Sequence, residues 1–129
     1  MARRGVDPER LGFPPERRLR RKAEFDATYA EGRRFGDGFF GIVARANAAA
    51  GPRLGLAVAT KVAGNSVERN RIRRLIRESF RLRQRQLPAL DIVVSARARV
   101  RGAGNAQLTA SLDILWGKVT EQCASLPRS

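Results

Sequence analysis

Between Lys61 and Phe80 the chain reads KVAGNSVERNRIRRLIRESF, and the arginines of this stretch carry the chemistry the sequence can do. Arg69, Arg71, Arg73, Arg74 and Arg77 follow one another with Asn70 among them, and Arg81 comes directly after the stretch. A guanidinium offers phosphate a rigid fork of donors and stacks on bases. A run of them is therefore a surface for phosphate, independent of sequence and sensitive to salt. Asn70 adds one donor and one acceptor, the pair needed to read a base edge or a 2′-hydroxyl.

The spacing predicts a helix. Asn65 as N-cap with Glu68 three residues on resembles a capping box, and Ser66 is the alternative cap. At about 100° per residue, Ile72, Leu75, Ile76, Ser79 and Phe80 share one apolar arc. Asn70, Arg73, Arg74, Arg77, Arg81 and Arg85 fall on a broader, roughly opposite arc, so Arg73, Arg74 and Arg77 are expected to point outward. Arg69 projects beside the apolar stripe, where it would reach over the edge of whatever the stripe packs on. Leu87-Pro88 is expected to end the helix. Solvated helices usually interleave both signs of charge; this outer arc carries no acid.

Other catalytic chemistries are hard to build from this chain. It has no histidine and one cysteine, Cys123, so histidine-based acid–base catalysis, a disulfide within the chain and a Cys/His zinc site are excluded. No Walker loop, GxGxxG or paired-carboxylate motif occurs, and the acids are scattered singly. No catalytic or metal-binding residue is assigned to the polypeptide. The whole chain of 129 residues carries 26 Lys+Arg against 12 Asp+Glu, a net charge of +14, and such a field attracts polyanions. All but Lys22, Lys61 and Lys118 of the basic residues are arginine. No run is long enough to span a membrane and no signal peptide is evident, so the cytoplasm is the default location.

The elements that must position the arginine helix follow from patterning. Residues 1–17 read as a flexible basic arm, 18–124 as a single α+β domain and 125–129 as a tail. Lys22–Glu31 reads as a helix ending at Gly32. Its Phe25 and Tyr29, spaced i,i+4, are either core or a stacking surface for single-stranded nucleic acid. Strands are expected at Gly38–Arg45 and Arg53–Thr60, joined as a loose hairpin, and at Leu90–Ala96, whose continuous apolar run suits a central strand. In the second strand Gly55, Ala57 and Ala59 make one face unusually small, open to close approach by another element. A basic Gly-containing loop follows from Arg97 to Asn105. A last helix is expected from Thr109 to about Ala124, with Leu108, Leu112, Leu115, Trp116, Val119 and Cys123 as its stripe. The order is α-β-β-α-β-α, with helices packed on one face of a small sheet.

The segment ATKVAGNSVERNRIRRLIRESF closely resembles the signature of the bacterial ribonuclease P protein component, through Lys61, Gly64, Asn65, Val67, Arg69, Asn70, Arg71, Arg73, Arg74 and Arg77. The Phe25…Tyr29 helix and the Leu54-Gly-Leu-Ala-Val strand are similar to that family's too. The resemblance implies a fold like the second domain of ribosomal protein S5, with a left-handed βαβ crossover. It implies a protein subunit that assists endonucleolytic removal of the 5′ leader from precursor tRNA. The catalytic groups would come from an RNA subunit using Mg2+, and the protein alone would bind no cofactor. Its partners would be that catalytic RNA and precursor tRNA, with no small-molecule substrate and no membrane. By position, Lys61, Asn65, Arg69, Asn70, Arg71, Arg73, Arg74, Arg77 and Arg81 would contact RNA, and Phe25, Tyr29 and Arg69 would form the leader cleft. The competing expectation is a ribosomal-type structural RNA-binding protein with no processing role. A DNA-binding reading lacks a turn-plus-recognition-helix pattern.

Overall fold

In the computed structural model, residues 18, 19, 21–47 and 51–123 are described; the arm (1–17) and tail (125–129) expected from sequence lie outside them. The elements are α1 (Lys22–Glu31), β1 (Arg33–Gly36), β2 (Phe40–Ala46), β3 (Arg53–Ala57), α2 (Thr60–Ala63), α3 (Ser66–Arg83), β4 (Leu90–Ala96) and α4 (Asn105–Cys123), with a short 3-10 turn at Ala98–Val100. This is the α+β class that the patterning predicts.

The sheet order is β1-β2-β4-β3. The expected hairpin between β2 and β3 does not form: β4 lies between them, antiparallel to β2 and parallel to β3. The reason is in β4 itself. LDIVVSA is the most continuously apolar strand, and Ile92 is flanked by Ala44 on one side and Leu54 on the other; such a strand belongs where both edges and both faces are covered. The parallel β3–β4 pair, joined through α2 and α3, makes a βαβ unit. Three further boundaries differ from expectation. β3 stops at Ala57 and Thr60 already opens α2, α3 ends at Arg83, short of Leu87-Pro88, and α4 begins at Asn105, a turn before Thr109.

One face of the sheet carries the main core. Phe40, Ile42, Leu54, Leu90, Ile92 and Val94 pack against Ile72, Ile76 and Phe80 of α3 and against Leu108, Leu112, Leu115, Trp116 and Val119 of α4. Each such side chain, fully buried, contributes on the order of 1.5–3 kcal/mol. Ser79, the one polar member of the α3 stripe, accepts a 2.7 Å hydrogen bond from Trp116 Nε1. The indole also meets Phe80 edge-on at 6.1 Å between ring centroids.

Helix α1 lies on the opposite face, which corrects the expectation that all helices share one side. It crosses from β3, where Phe25 sits on Gly55, to β2, where Gly32 abuts Val43. Small residues permit this approach, as the Gly55 face suggested. Gly32 ends the helix in extended backbone (φ −82) with its N–H on Thr28 O, so it is there for space and not for a left-handed turn. A Cβ at Gly32 would stand 2.5 Å from Val43 Cγ1 and 2.6 Å from the Thr28 carbonyl oxygen. Gly32→Ala is expected to destabilise by about 1–3 kcal/mol; an unchanged urea midpoint would show that α1 is not seated on β2 as described.

Candidate nucleic-acid interface

Strand β3 is an edge strand, and its outer rim is where the basic residues converge. At one point the Leu19 N–H donates to Leu54 O at 2.9 Å, with Arg18 bridged to Leu54 in the parallel sense. At the other, Arg69 Nε donates to Val58 O at 3.0 Å. Arg69 thus reaches over the sheet edge, where its place beside the apolar stripe put it.

Beside this rim lies an open cleft of about 510 Å³, lined by Arg18, Leu19, Phe25, Leu54, Leu56, Arg73 and Arg77. Its floor is apolar and aromatic, and among the described residues its lining carries three guanidiniums and no carboxylate. Burial, then the neighbouring charges of Arg77 and Arg69, hold the Arg73 guanidinium below its ordinary value. Cations crowded in this way favour an incoming anion.

Arg73 is half-buried and Arg77 exposed, and both line this cleft, so the outward arc of α3 also borders the sheet edge. A helical wheel orders side chains around α3; it does not show that α1 and Leu19 come to stand across from them. Phe25 is half-buried in the cleft. Tyr29, 37% exposed, is not in its described lining, and neither is Arg69, so of the three expected cleft residues only Phe25 lines it. One helical turn onward, α1 has moved from β3 toward β2, so the i,i+4 pair separates.

The remaining candidates divide. Asn70 and Arg74 are exposed on α3, and Lys61 is exposed on α2. Arg74 borders a shallow hollow of about 300 Å³ with Arg71, Leu75, Glu78 and Asn105. Arg71 is held within the fold. Its Nε donates to Glu68 at 3.0 Å, and its terminal nitrogens donate to Asn105 Oδ1 and to Ala103 O, clamping α3 to the start of α4. Arg81 is paired with Glu78. Asn65 caps α3, accepting from the Glu68 N–H at 2.9 Å. Gly64 before it has φ +115, a conformation that favours glycine. The Gly-Asn step of the motif thus has a local structural role.

Patterning missed three contributors. Arg18 and Leu19 sit in a basic, aperiodic segment and enter the cleft only through the edge of β3. Arg101, from the basic loop, donates to Val62 O at 2.9 Å and to Lys61 O, fixing α2. Among the described residues no three of His, Cys, Asp or Glu gather as a metal site would need, and no helix is long and apolar enough to cross a membrane.

The chain has clear relatives. Residues 13–120 match the family model described as Ribonuclease P. The ribonuclease P protein component of Methylococcus capsulatus is 41% identical over 121 residues, covering 94% of each chain. That of Serratia proteamaculans is 42% identical over 120 residues, covering 93% of this chain and 98% of the relative. The solved ribonuclease P protein of Staphylococcus aureus superposes with a TM-score of 0.75 at 32% identity, covering 81% of this chain and 97% of that one. The Thermotoga maritima protein gives 0.68 at 28% identity, covering 78% and 96%. These matches set aside the ribosomal-type alternative. With an arginine helix and a cationic cleft on an α+β sheet of matching fold, the chain belongs to the ribonuclease P protein-component family, the accessory protein subunits of that endoribonuclease.

Proposed function

We propose that the cleft at the β3 edge holds the single-stranded 5′ leader of precursor tRNA, while the outer side of α3, with Asn70 and Arg74, and Lys61 of α2 lie on the catalytic RNA subunit. The carrying observation is that a half-buried aromatic ring, Phe25, shares one cleft with Arg18, Arg73 and Arg77. A ring stacks on a base only when that base is unpaired, and the guanidiniums take the flanking phosphates. Duplex RNA hides its bases and suits an exposed phosphate-binding face better than such a cleft. In this reading the RNA subunit and its Mg2+ carry out the hydrolysis. The protein's residues bind and orient the leader, which raises affinity for precursor over mature tRNA.

Reconstitution with a bacterial ribonuclease P RNA at low magnesium tests this. The protein is expected to stimulate 5′ leader removal. Phe25→Ala is expected to weaken precursor tRNA by about 1–3 kcal/mol if a base stacks on the ring, with mature tRNA unaffected. Equal weakening of both would mean that Phe25 only supports the core.

A further inference from the structure

Helix α1 carries Phe25, yet little apolar packing fixes it. Thr28 is its only fully buried residue. Ion pairs add to the contacts of Phe25 with Gly55 and of Gly32 with Val43, and they converge on one carboxylate. Asp91 of β4, completely buried, lies directly between Arg45 of β2 and Arg53 of β3 in the strand register. Arg53 donates from Nε and Nη2 to the two Asp91 oxygens at 2.8 Å each, and from Nη1 to Glu24 Oε2 of α1 at 3.1 Å. Arg45 donates from Nη2 to Asp91 Oδ2 at 3.0 Å and from Nη1 to Glu31 Oε1 at 3.2 Å. Asn47 Nδ2 completes the site on Asp91 Oδ1 at 2.8 Å.

The charges explain the arrangement. Two guanidiniums share one buried carboxylate, and each also reaches a second carboxylate, Glu24 or Glu31, near one end of α1. The two limbs are unequal. Glu31 is 63% exposed in its side chain, where an ion pair is weak. Arg45 also leaves its buried Nε without an acceptor among the described residues. Arg53 uses all three of its nitrogens, and Glu24 is only 27% exposed. Glu24 immediately precedes Phe25 in α1. Arg53 lies two residues before Gly55 in β3, on the same face by the two-residue strand period. The clip and the seat of the Phe25 ring are thus adjacent on both elements.

We propose that Glu24 and Arg53 are positioning residues for leader recognition: through Asp91 they lock the first turn of α1 to the sheet and so hold the Phe25 ring at the height that keeps the cleft open. This rests on the reading of the cleft as the leader site. Neither side chain lines the cleft, so they act through Phe25.

The test is a double-mutant cycle in the reconstituted holoenzyme, reading Kd for precursor and mature tRNA. Glu24→Gln keeps the chain length and an acceptor for the Arg21 N–H but removes the charge that meets Arg53. It is expected to weaken precursor tRNA roughly three- to tenfold, the net scale of one ordinary hydrogen bond, and to leave mature tRNA unchanged. In a Phe25→Ala background the same substitution is expected to have no effect. Arg53→Lys, which keeps the charge and loses the fork, is expected to behave like Glu24→Gln. An undiminished Glu24→Gln loss in the Phe25→Ala background would overturn the proposal, as would unchanged discrimination in both Glu24→Gln and Arg53→Lys. Phe25→Ala without a precursor-specific loss would instead overturn the cleft reading itself.

Discussion

Asp91→Ala is expected to cost about 3–5 kcal/mol of folding stability, because it leaves two partly buried guanidiniums and the Asn47 amide without their shared acceptor. The loss should appear as a lower urea midpoint, read by circular dichroism. The same carboxylate gives stability a pH dependence. Burial pushes the Asp91 carboxyl up, but the hydrogen bonds from Arg53, Asn47 and Arg45 and the charge of Arg53 outweigh it, and the net shift is downward from 3.8. A carboxylate depressed in the folded state stabilises fully above its unfolded value and loses that contribution as pH falls through the folded one. The wild-type protein should therefore lose stability as pH drops below about 4. Asp91→Asn, already less stable at neutral pH, should show a flatter curve in that acid window. Parallel curves for the two proteins would remove Asp91 from the acid response.

That network marks where sequence reasoning stops. Asp91 sits in LDIVVSA as a lone acid in an apolar strand, and nothing local names its partners. Arg45 and Arg53 are 46 and 38 residues away, and only the register of a sheet with β4 at its centre brings them alongside. Local features were legible. The Asn65 cap and the burial of Ile72, Ile76 and Phe80 follow from spacing along one helix. The central place of β4 follows from its own composition. Strand β1 was not legible, because RRFG has neither length nor alternation. The hairpin between β2 and β3 was a reasonable reading of adjacent strands; it lost to the stronger demand of β4 for two neighbours.

The candidate site follows the same division. Arg69 was readable because its position depends on α3 alone, its place beside the stripe that packs on the sheet. For Arg73 and Arg77 the outward direction was readable but the cleft they line was not, because it depends on α1 and Leu19, far away in the chain. Phe25 and Tyr29 looked equivalent on one helical face. They part because α1 runs across the sheet, and only its first turn stands over the β3 edge.

Removing the cleft charges with Arg73→Gln and Arg77→Gln together is expected to weaken precursor tRNA selectively. If each guanidinium meets one phosphate of a single strand, the slope of log affinity against log salt should fall by about 0.7 per contact. That is a drop of about 1.4 for the pair. Mature tRNA, which has no leader to place in the cleft, should show an unchanged slope. Arg74→Gln supplies the contrast. Arg74 lies outside the cleft lining, so its loss should weaken assembly with the RNA subunit and leave precursor discrimination intact. The comparison turns on location, because all three substitutions remove the same charge from neighbouring turns of one helix. Equal slope changes for precursor and mature tRNA in the Arg73/Arg77 variant would place these two arginines on the RNA subunit. Among the described residues the cleft would then keep the Phe25 ring for contact with the leader base, and Arg18 as its remaining cation.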